Sequence, residues 1–251
     1  MDTIGTIKTS VSSVSSALRW FVPAMQDAGS GAPQDKSGNA YNLTIGANTA
    51  DATIWATAGY VTATDATAQD KGLSQPAGRL AWAGNAGQSL LVVAQIKAPA
   101  PASTKRFLGD RSSGNGIGFE ADATGKVQLV LRDGTTSYTS GFGSVAVLDN
   151  ALHTLILYVD GVTKTATAWL DGTVLSQINA ANVAGSLVNS VASANPFGYG
   201  HDGAPSGGHT VGTQWRNLHA YVYTGSIANI TSLVARLQKD PFKPLTASEL
   251  A

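Results

Sequence analysis

Three predicted β-strands of this chain end in the dipeptide Asp-Gly, and this repeated ending is the feature that most restricts its fold. The strands lie in KVQLVLRDG, HTLILYVDG and KTATAWLDG, at residues 126–134, 153–161 and 164–172. Asp-Gly supplies the positive φ angles that tight hairpin turns require. Consecutive strands joined by such turns pair as an antiparallel meander, so the sequence predicts an all-β domain.

The apolar residues of these strands recur with a period of two. Val127, Leu129 and Leu131 share one face of the first strand. Over 164–172, threonine and tryptophan alternate with alanine and leucine. The strand within 153–161 is apolar on both faces, and SLLVVAQIKA at 89–98 is an apolar run of strand length.

A strand and a helix are predicted near the C-terminus. The helix is predicted within 226–238, where apolar residues recur at helical spacing, with Ser226 as its N-cap and a Pro-rich tail after it. Its apolar stripe is Ile227, Ile230, Leu233, Val234 and Leu237. The strand WRNLHAYVYTG is expected to place these side chains on one face: Trp215, Asn217, His219, Tyr221 and Tyr223.

Residues 1–17 are predicted to form an N-terminal arm, followed by a single sandwich domain over 18–251. Apolar residues spaced three, four, three and four apart form a seam. This seam, our candidate partner-binding surface, is Ile4, Ile7, Val11, Val14 and Leu18. Because Ser- and Thr-rich sequence forms helices weakly, an arm lying on its own domain or on a neighbour is favoured over a coiled coil.

Composition excludes several classes of function. Charged residues make up 13% of the chain and balance at 16 against 16, so no nucleic-acid partner is expected. No apolar run is long enough to span a membrane, and the first residues lack the features of a secretory signal. The absence of cysteine excludes disulfides and thiol chemistry.

The order of these pieces resembles the laminin-G-like, or concanavalin A-like, two-sheet antiparallel jelly roll. DKSGNAYNLT at 35–44 resembles the corner that opens many such domains, and residues 151–175 resemble their central meander. Residues 215–237 resemble their closing strand and short helix. The resemblance covers roughly 18–245. It implies the fold and not one function, since this fold serves lectins, hydrolases, adhesins and virion parts.

A hydrolase is the third function considered. Glucanases of this fold resemble one another in an E-x-D-x-x-E strand, because glycoside hydrolysis needs two carboxyl groups at the scissile bond. Here FEADATG supplies Glu120 and Asp122 without the second glutamate, and Glu249 is the only other one in the chain. We therefore predict that the protein is not an enzyme.

No cofactor is predicted, although calcium stays open. The loop HDGAPSGGH offers at most three ligands and no cysteine, which is poor for structural zinc. Calcium takes six to eight oxygen ligands, and its candidates here are Asp35, Asp110 and Asp202 in loops rich in Gly and Asn. Turn formation explains each aspartate equally well. The stretch from Asp35 is accordingly predicted to be a corner that leads into a strand.

The composition and order of the pieces also resemble bacteriophage structural proteins. The first function predicted is thus a non-enzymatic virion protein that decorates or stabilises a capsid, made in the host cytoplasm without a signal peptide. Its expected partners are other virion proteins, above all the major capsid protein. A homo-oligomer is expected, a trimer first and a dimer second.

The alternative is a tail-fibre or receptor-binding module that binds host surface polysaccharide. Aromatic rings can stack on sugars, and most tryptophans of a jelly roll are needed in its core. The exposed pair predicted to contact carbohydrate is Tyr199 and His201, in a Gly-rich loop.

Overall fold

A computed structural model of the protein describes most of its β-domain. The described residues are 17–22, 35–39, 43–45, 61–62, 73–74, 86–109, 115–133, 136–178, 198–199 and 212–250. Residues 1–16 of the predicted arm lie outside them, so the arm and the boundary at residue 17 stay predictions. No helix within the described ranges is both long and apolar enough to cross a membrane.

The described chain is mostly strand, with two helices near its C-terminus. The helices are α1 (Ile230–Lys239) and α2 (Ala247–Leu250). The strands are β1 (Leu18–Val22), β2 (Thr44–Ile45), β3 (Val61–Thr62), β4 (Leu73–Ser74), β5 (Gln88–Lys97), β6 (Lys105–Gly109), β7 (Asn115–Ala121), β8 (Val127–Asp133), β9 (Ser137–Thr139), β10 (Leu152–Asp160), β11 (Thr165–Leu170), β12 (Thr173–Ile178), β13 (Gly198–Tyr199) and β14 (Gln214–Thr224).

The strands form two sheets, and each described pair is antiparallel. The first sheet has the order β1-β14-β5-β10-β11-β12, with β3 also paired to β14. The second sheet has the order β2-β4-β13-β6-β7-β8-β9. The fold is therefore the all-β jelly-roll sandwich expected from the sequence, and β10, β11 and β12 are its predicted meander.

The main core lies between the two sheets. Val127, Leu129 and Leu131 of β8 all point into it, as their period of two predicts. From the facing sheet, β11 contributes Ala166 and Ala168. Burying side chains of this size stabilises the fold by roughly 0.8 kcal/mol per buried methylene group.

A second core covers the outer face of the first sheet. There α1 packs Leu233, Val234 and Leu237 against the strands beneath it. Val93 of β5 and Ile156 of β10 belong to this core. This layer explains why β5 and β10 are apolar on both faces: one face contacts the second sheet and the other contacts the helix.

Strand β14 departs from its predicted pattern. Trp215 lies in the core between the sheets, whereas Tyr221 lies in the second core, so the two do not share a face. The cause is a β-bulge between Arg216 and His219, where Asn217 takes φ 51°. An extra residue in one strand reverses the facing of every residue before it, which a strict period of two cannot predict.

The predicted start of the helix is also wrong. The helix begins at Ile230, and the residue before it, Asn229, makes no side-chain capping bond. The Ser226 hydroxyl instead donates to Asp160 Oδ1 at 2.9 Å. A nearby buried carboxylate therefore takes the hydroxyl that the sequence pattern assigned to the helix.

Two of the Asp-Gly pairs form turns by different means, one through positive φ angles and the other through a carboxylate that accepts backbone N–H groups. Asp171 and Gly172 take φ 49° and 81°, which confirms a tight hairpin turn between β11 and β12. Asp160 instead accepts the backbone N–H groups of Val162 and Thr163 through Oδ1, at 2.8 and 2.9 Å. That turn has its positive φ at Lys164, 58°. The third pair is only partly described, because residue 134 lies outside the described ranges.

The stretch from Asp35 forms a corner, as the sequence predicts. Asp35 Oδ1 accepts the backbone N–H of Phe21 at 2.9 Å and that of Ser37 at 2.8 Å. Asn39 Nδ2 donates to the backbone oxygen of Arg19 at 2.9 Å. The Phe21 and Arg19 groups belong to β1, the last strand in the described order of the first sheet. The corner thus satisfies backbone groups at a sheet edge that would otherwise be open to another strand.

Candidate functional site

The outer face of the first sheet changes from apolar to polar along its strands. On β5, Val93 packs in the second core, and the next residues on that face are Gln95 and Lys97. We call the polar surface the group of Gln95, Lys97, Thr154, Gln214, Arg216 and Asn217. These residues come from the adjacent strands β14, β5 and β10.

Hydrogen bonds connect the polar surface across these strands. Asn217 Nδ2 donates to Gln95 Oε1 at 2.6 Å, and Gln95 Nε2 donates to Thr154 Oγ1 at 3.3 Å. Arg216 Nη2 donates to Gln214 Oε1 at 3.2 Å. Side chains held by their neighbours lose less conformational freedom when a ligand binds.

The bulge in β14 produces this arrangement. It falls between Arg216, which pairs with Gln95, and His219, so Asn217 lies outside the regular pairing with β5. Asn217 is fully buried, and its amide reaches sideways to Gln95. Bulges often redirect a side chain next to a binding site, and positive φ at a non-glycine residue is uncommon enough to suggest a functional role.

The polar surface is accessible in part. Gln95, Lys97, Gln214 and Arg216 are half-buried. Beside them, Leu152 is paired with Lys97 across β10 and β5 and is 44% exposed. The surface therefore offers amide and cationic donors, amide acceptors and one apolar contact, and none of its residues has a carboxyl group.

His153 forms a clamp next to this surface. Its Nδ1 lies 2.6 Å from Asp171 Oδ2, and its Nε2 lies 2.9 Å from Asp149 Oδ1. Burial of the ring opposes the charge, but the hydrogen bonds to Asp171 and Asp149 outweigh it and raise the pKa of His153. Ionised carboxylates only accept hydrogen bonds, so a ring that is bonded to both of them needs a proton on each nitrogen.

The clamp positions one member of the polar surface. The Thr154 backbone N–H donates to Asp171 Oδ1 at 2.8 Å, and the Asp171 N–H donates to the Thr154 oxygen at 3.0 Å. His153 therefore fixes the strand segment whose hydroxyl accepts from Gln95.

Glu120 and Asp122 have separate structural roles. Glu120 Oε2 accepts from Gln128 Nε2 at 2.9 Å, and its other oxygen lies 3.6 Å from Arg106 Nε. Asp122 Oδ1 accepts from the Thr124 hydroxyl at 2.7 Å within the turn after β7, and this bond lowers the pKa of Asp122. Glu120 is held on a strand by an amide and a cation, whereas Asp122 closes the turn.

The calcium candidates gain no support among the described residues. Both oxygens of Asp35 are occupied by backbone and hydroxyl donors of its corner. Within the described part of the chain, no three His, Cys, Asp or Glu side chains are grouped to hold a metal ion. Asp110 and Asp202 lie outside that part, so calcium at those loops is neither supported nor opposed.

The residues predicted to bind partners are only partly described. Tyr199 lies in strand β13, paired with Leu73 and Leu108, and not in the loop where the sequence placed it. His201 lies outside the described residues, so the predicted sugar contact stays a prediction. Leu18 is buried in the second core of its own domain. The other arm residues predicted to bind a partner lie outside the described residues: Ile4, Ile7, Val11 and Val14.

The polar surface is the functional candidate that sequence analysis missed. A signal was present, because Gln95 interrupts the apolar run of β5 and Asn217 interrupts β14. The period-two pattern placed Asn217 with Trp215, and the bulge separates them. Neither residue could be assigned to a shared site before the pairing of β5 with β14 was known.

Solved structures resemble this fold, whereas no family model and no curated protein that was searched matches the sequence. No family model matches the chain, and a search of curated proteins found no match. Solved structures do match, among them the binding domain of botulinum neurotoxin DC in complex with rat synaptotagmin II. That likeness has a TM-score of 0.61 and 10% identity, and it covers 90% of this chain and 52% of that chain.

Two further neighbours widen the comparison. One is botulinum neurotoxin type C, whose cell entry is dependent on two ganglioside molecules (TM-score 0.59, 10% identity, 92% and 53% of the two chains). The other is Trypanosoma rangeli sialidase (TM-score 0.56, 16% identity, 90% and 33%). The chain spans about half of each toxin domain and a third of the sialidase. At these identities the likeness extends to the fold alone.

These neighbours include no virion protein. The two-sheet jelly-roll fold that the sequence resemblance implies is confirmed, and the bacteriophage part of the resemblance finds no support in them. The toxin neighbours are binding domains, while the sialidase is an enzyme matched over a third of its length.

Proposed function

We propose that this protein is a carbohydrate-binding module without catalytic activity and that the polar surface is its binding site. The observation that carries the proposal is the hydrogen-bonded series Asn217, Gln95 and Thr154 across three adjacent strands. Carbohydrate binding is the alternative function predicted from the sequence, but the site proposed here consists of different residues.

Sugar hydroxyls both donate and accept hydrogen bonds, and so do amide side chains. A site that fixes such groups rejects ligands without matching hydroxyls, because its own polar groups would then be left unpaired. The half-exposed Leu152 beside Lys97 supplies an apolar contact for the carbon-bound face of a sugar ring.

The neighbouring structures support a binding function through the fold that they share with this chain. Toxin binding domains use this fold, and one of these toxins interacts with two ganglioside molecules. Because the chain matches only half of each toxin domain, their ligands could contact the other half. The proposal therefore depends on the polar surface itself. The absence of any carboxyl group among its residues favours binding over hydrolysis, which needs two.

Gln95→Ala is expected to weaken glycan binding roughly tenfold, or by about 1.4 kcal/mol, since it removes the amide that is proposed to bond the sugar hydroxyls. Affinity would be measured by calorimetry for a ligand first identified on a glycan array. Gln128→Ala is the matched control, because Gln128 is an amide on a strand of the second sheet and bonds to Glu120. Equal weakening by both variants, or by neither, would reject the polar surface as the site.

A virion role, with the protein located on a phage particle and bound to capsid protein, is the second candidate. The observation that favours it is the position of Ala17 and Leu18, which are buried at the start of edge strand β1. An arm that precedes Ala17 would therefore begin at the edge of the first sheet, where it can engage a neighbour.

Removal of residues 1–16 tests the arm. Ala17 is kept because its oxygen accepts the Val222 N–H at 2.9 Å. The truncated protein is expected to keep its melting temperature and to change from a trimer or dimer to a monomer in light scattering. The double variant Ile7→Asp with Val11→Asp is expected to give the same change to a monomer at an unchanged melting temperature. An unchanged oligomer would show that the arm does not assemble the protein.

A further inference from the structure

The polar surface has a positive side. Lys97 is opposite Gln214, and Arg216 is opposite Gln95, across the pairing of β5 with β14. Because Gln95 and Lys97 are two residues apart on one strand face, Lys97 and Arg216 are diagonal neighbours across the strand pair. The Cα atoms of such neighbours are on the order of 7 Å apart. A single ligand group of a few ångströms can contact both.

We propose that the ligand of this surface is an acidic saccharide, with the acidic group between Lys97 and Arg216 and the sugar hydroxyls on Gln95 and Gln214. This inference rests on the proposed carbohydrate-binding function and deepens it. It assigns a ligand class to these residues and names Lys97 and Arg216 as the two that determine specificity.

The local charges support an anionic ligand. The carboxylates of the neighbouring clamp, Asp171 and Asp149, are both bound to His153, whose charge offsets part of theirs. Lys97 takes part in none of the ion pairs found among the described residues.

Arginine and lysine have complementary roles in such a site. The planar guanidinium of Arg216 can donate two parallel hydrogen bonds to a carboxylate or sulfate, and Lys97 adds a mobile point charge. Hydrogen bonds to ionised groups are about twice as strong as neutral ones. Since both side chains are half-buried, salt should weaken the contact without abolishing it.

The test compares an oligogalacturonate with the same oligosaccharide after reduction of its carboxyl groups to alcohols. A sulfated oligosaccharide of equal length shows whether a carboxylate or a sulfate is preferred. We expect the wild-type protein to bind the better acidic ligand at least tenfold more tightly than the reduced one. Its affinity for that ligand should fall several-fold between low and physiological salt.

Lys97→Gln with Arg216→Gln should remove this preference, so that the acidic and the reduced ligand bind the variant with equal affinity. Arg106→Gln, which replaces a cation on the second sheet, is the matched control and should keep the preference. Melting temperatures verify folding, and the salt dependence of the wild type tests the idea even if the double variant is unstable.

Equal binding of acidic and reduced ligands would overturn the acidic class while the carbohydrate-binding proposal stands. A preference that survives in the double variant or disappears with Arg106→Gln would place the acidic group elsewhere. Failure of every saccharide to bind would overturn the function and this inference together.

Discussion

Gly161→Ala is expected to destabilise the domain by about 3 kcal/mol, which is typical of severe overpacking. A Cβ atom at this position would overlap the backbone oxygen of Gln88 and lie 2.6 Å from its carbonyl carbon. Backbone atoms of a central strand cannot rotate away as a side chain can. The free energy of unfolding in urea measures the effect.

Gly141→Ala is the matched control for this prediction. Gly141 has φ 74°, and a Cβ there would have no atom within 4 Å. That substitution is expected to cost about 1 kcal/mol, from backbone strain alone. If Gly161→Ala costs no more than Gly141→Ala, close approach to β5 is not the reason for glycine in this turn.

His153→Gln is expected to cost about 2 kcal/mol at pH 6, since it removes hydrogen bonds between a charged ring and two carboxylates. The raised pKa of His153 sets the pH dependence. The contribution is complete below the unfolded-state value near 6.5 and is lost as pH rises through the higher folded-state pKa. The difference in stability between wild type and variant should therefore decrease from pH 6 to pH 9.

His219 serves as an internal reference in the same experiment. Burial lowers the pKa of His219 to about 4, so the unfolded chain binds more protons than the folded chain between pH 4 and 6.5. Stability should rise with pH across that range in both proteins. A difference between wild type and His153→Gln that stays constant up to pH 9 would show that the clamp is not charged.

Local sequence patterns determined much of the fold. Period-two alternation gave the facing of Val127, Leu129 and Leu131, because strand residues alternate between faces. Asp171 and Gly172 gave a hairpin turn, since positive φ is a property of the residues themselves. Asp35 gave a corner, because its carboxylate bonds to nearby backbone. Each of these features depends on a few adjacent residues.

Tertiary structure decided the positions where distant groups compete. Ser226 bonds to Asp160 and not to its helix, and Gly161 is required by the approach of Gln88 and not by its own φ. Because of the bulge at Asn217, Trp215 points into the core between the sheets and Tyr221 points into the second core. The polar surface exists because β14 and β10 both pair with β5. The sequence by itself determined the strands, the turns and the sandwich. Strand pairing decided which side chains meet on the surface of the sandwich, since residues far apart along the chain become neighbours only when the sheet forms.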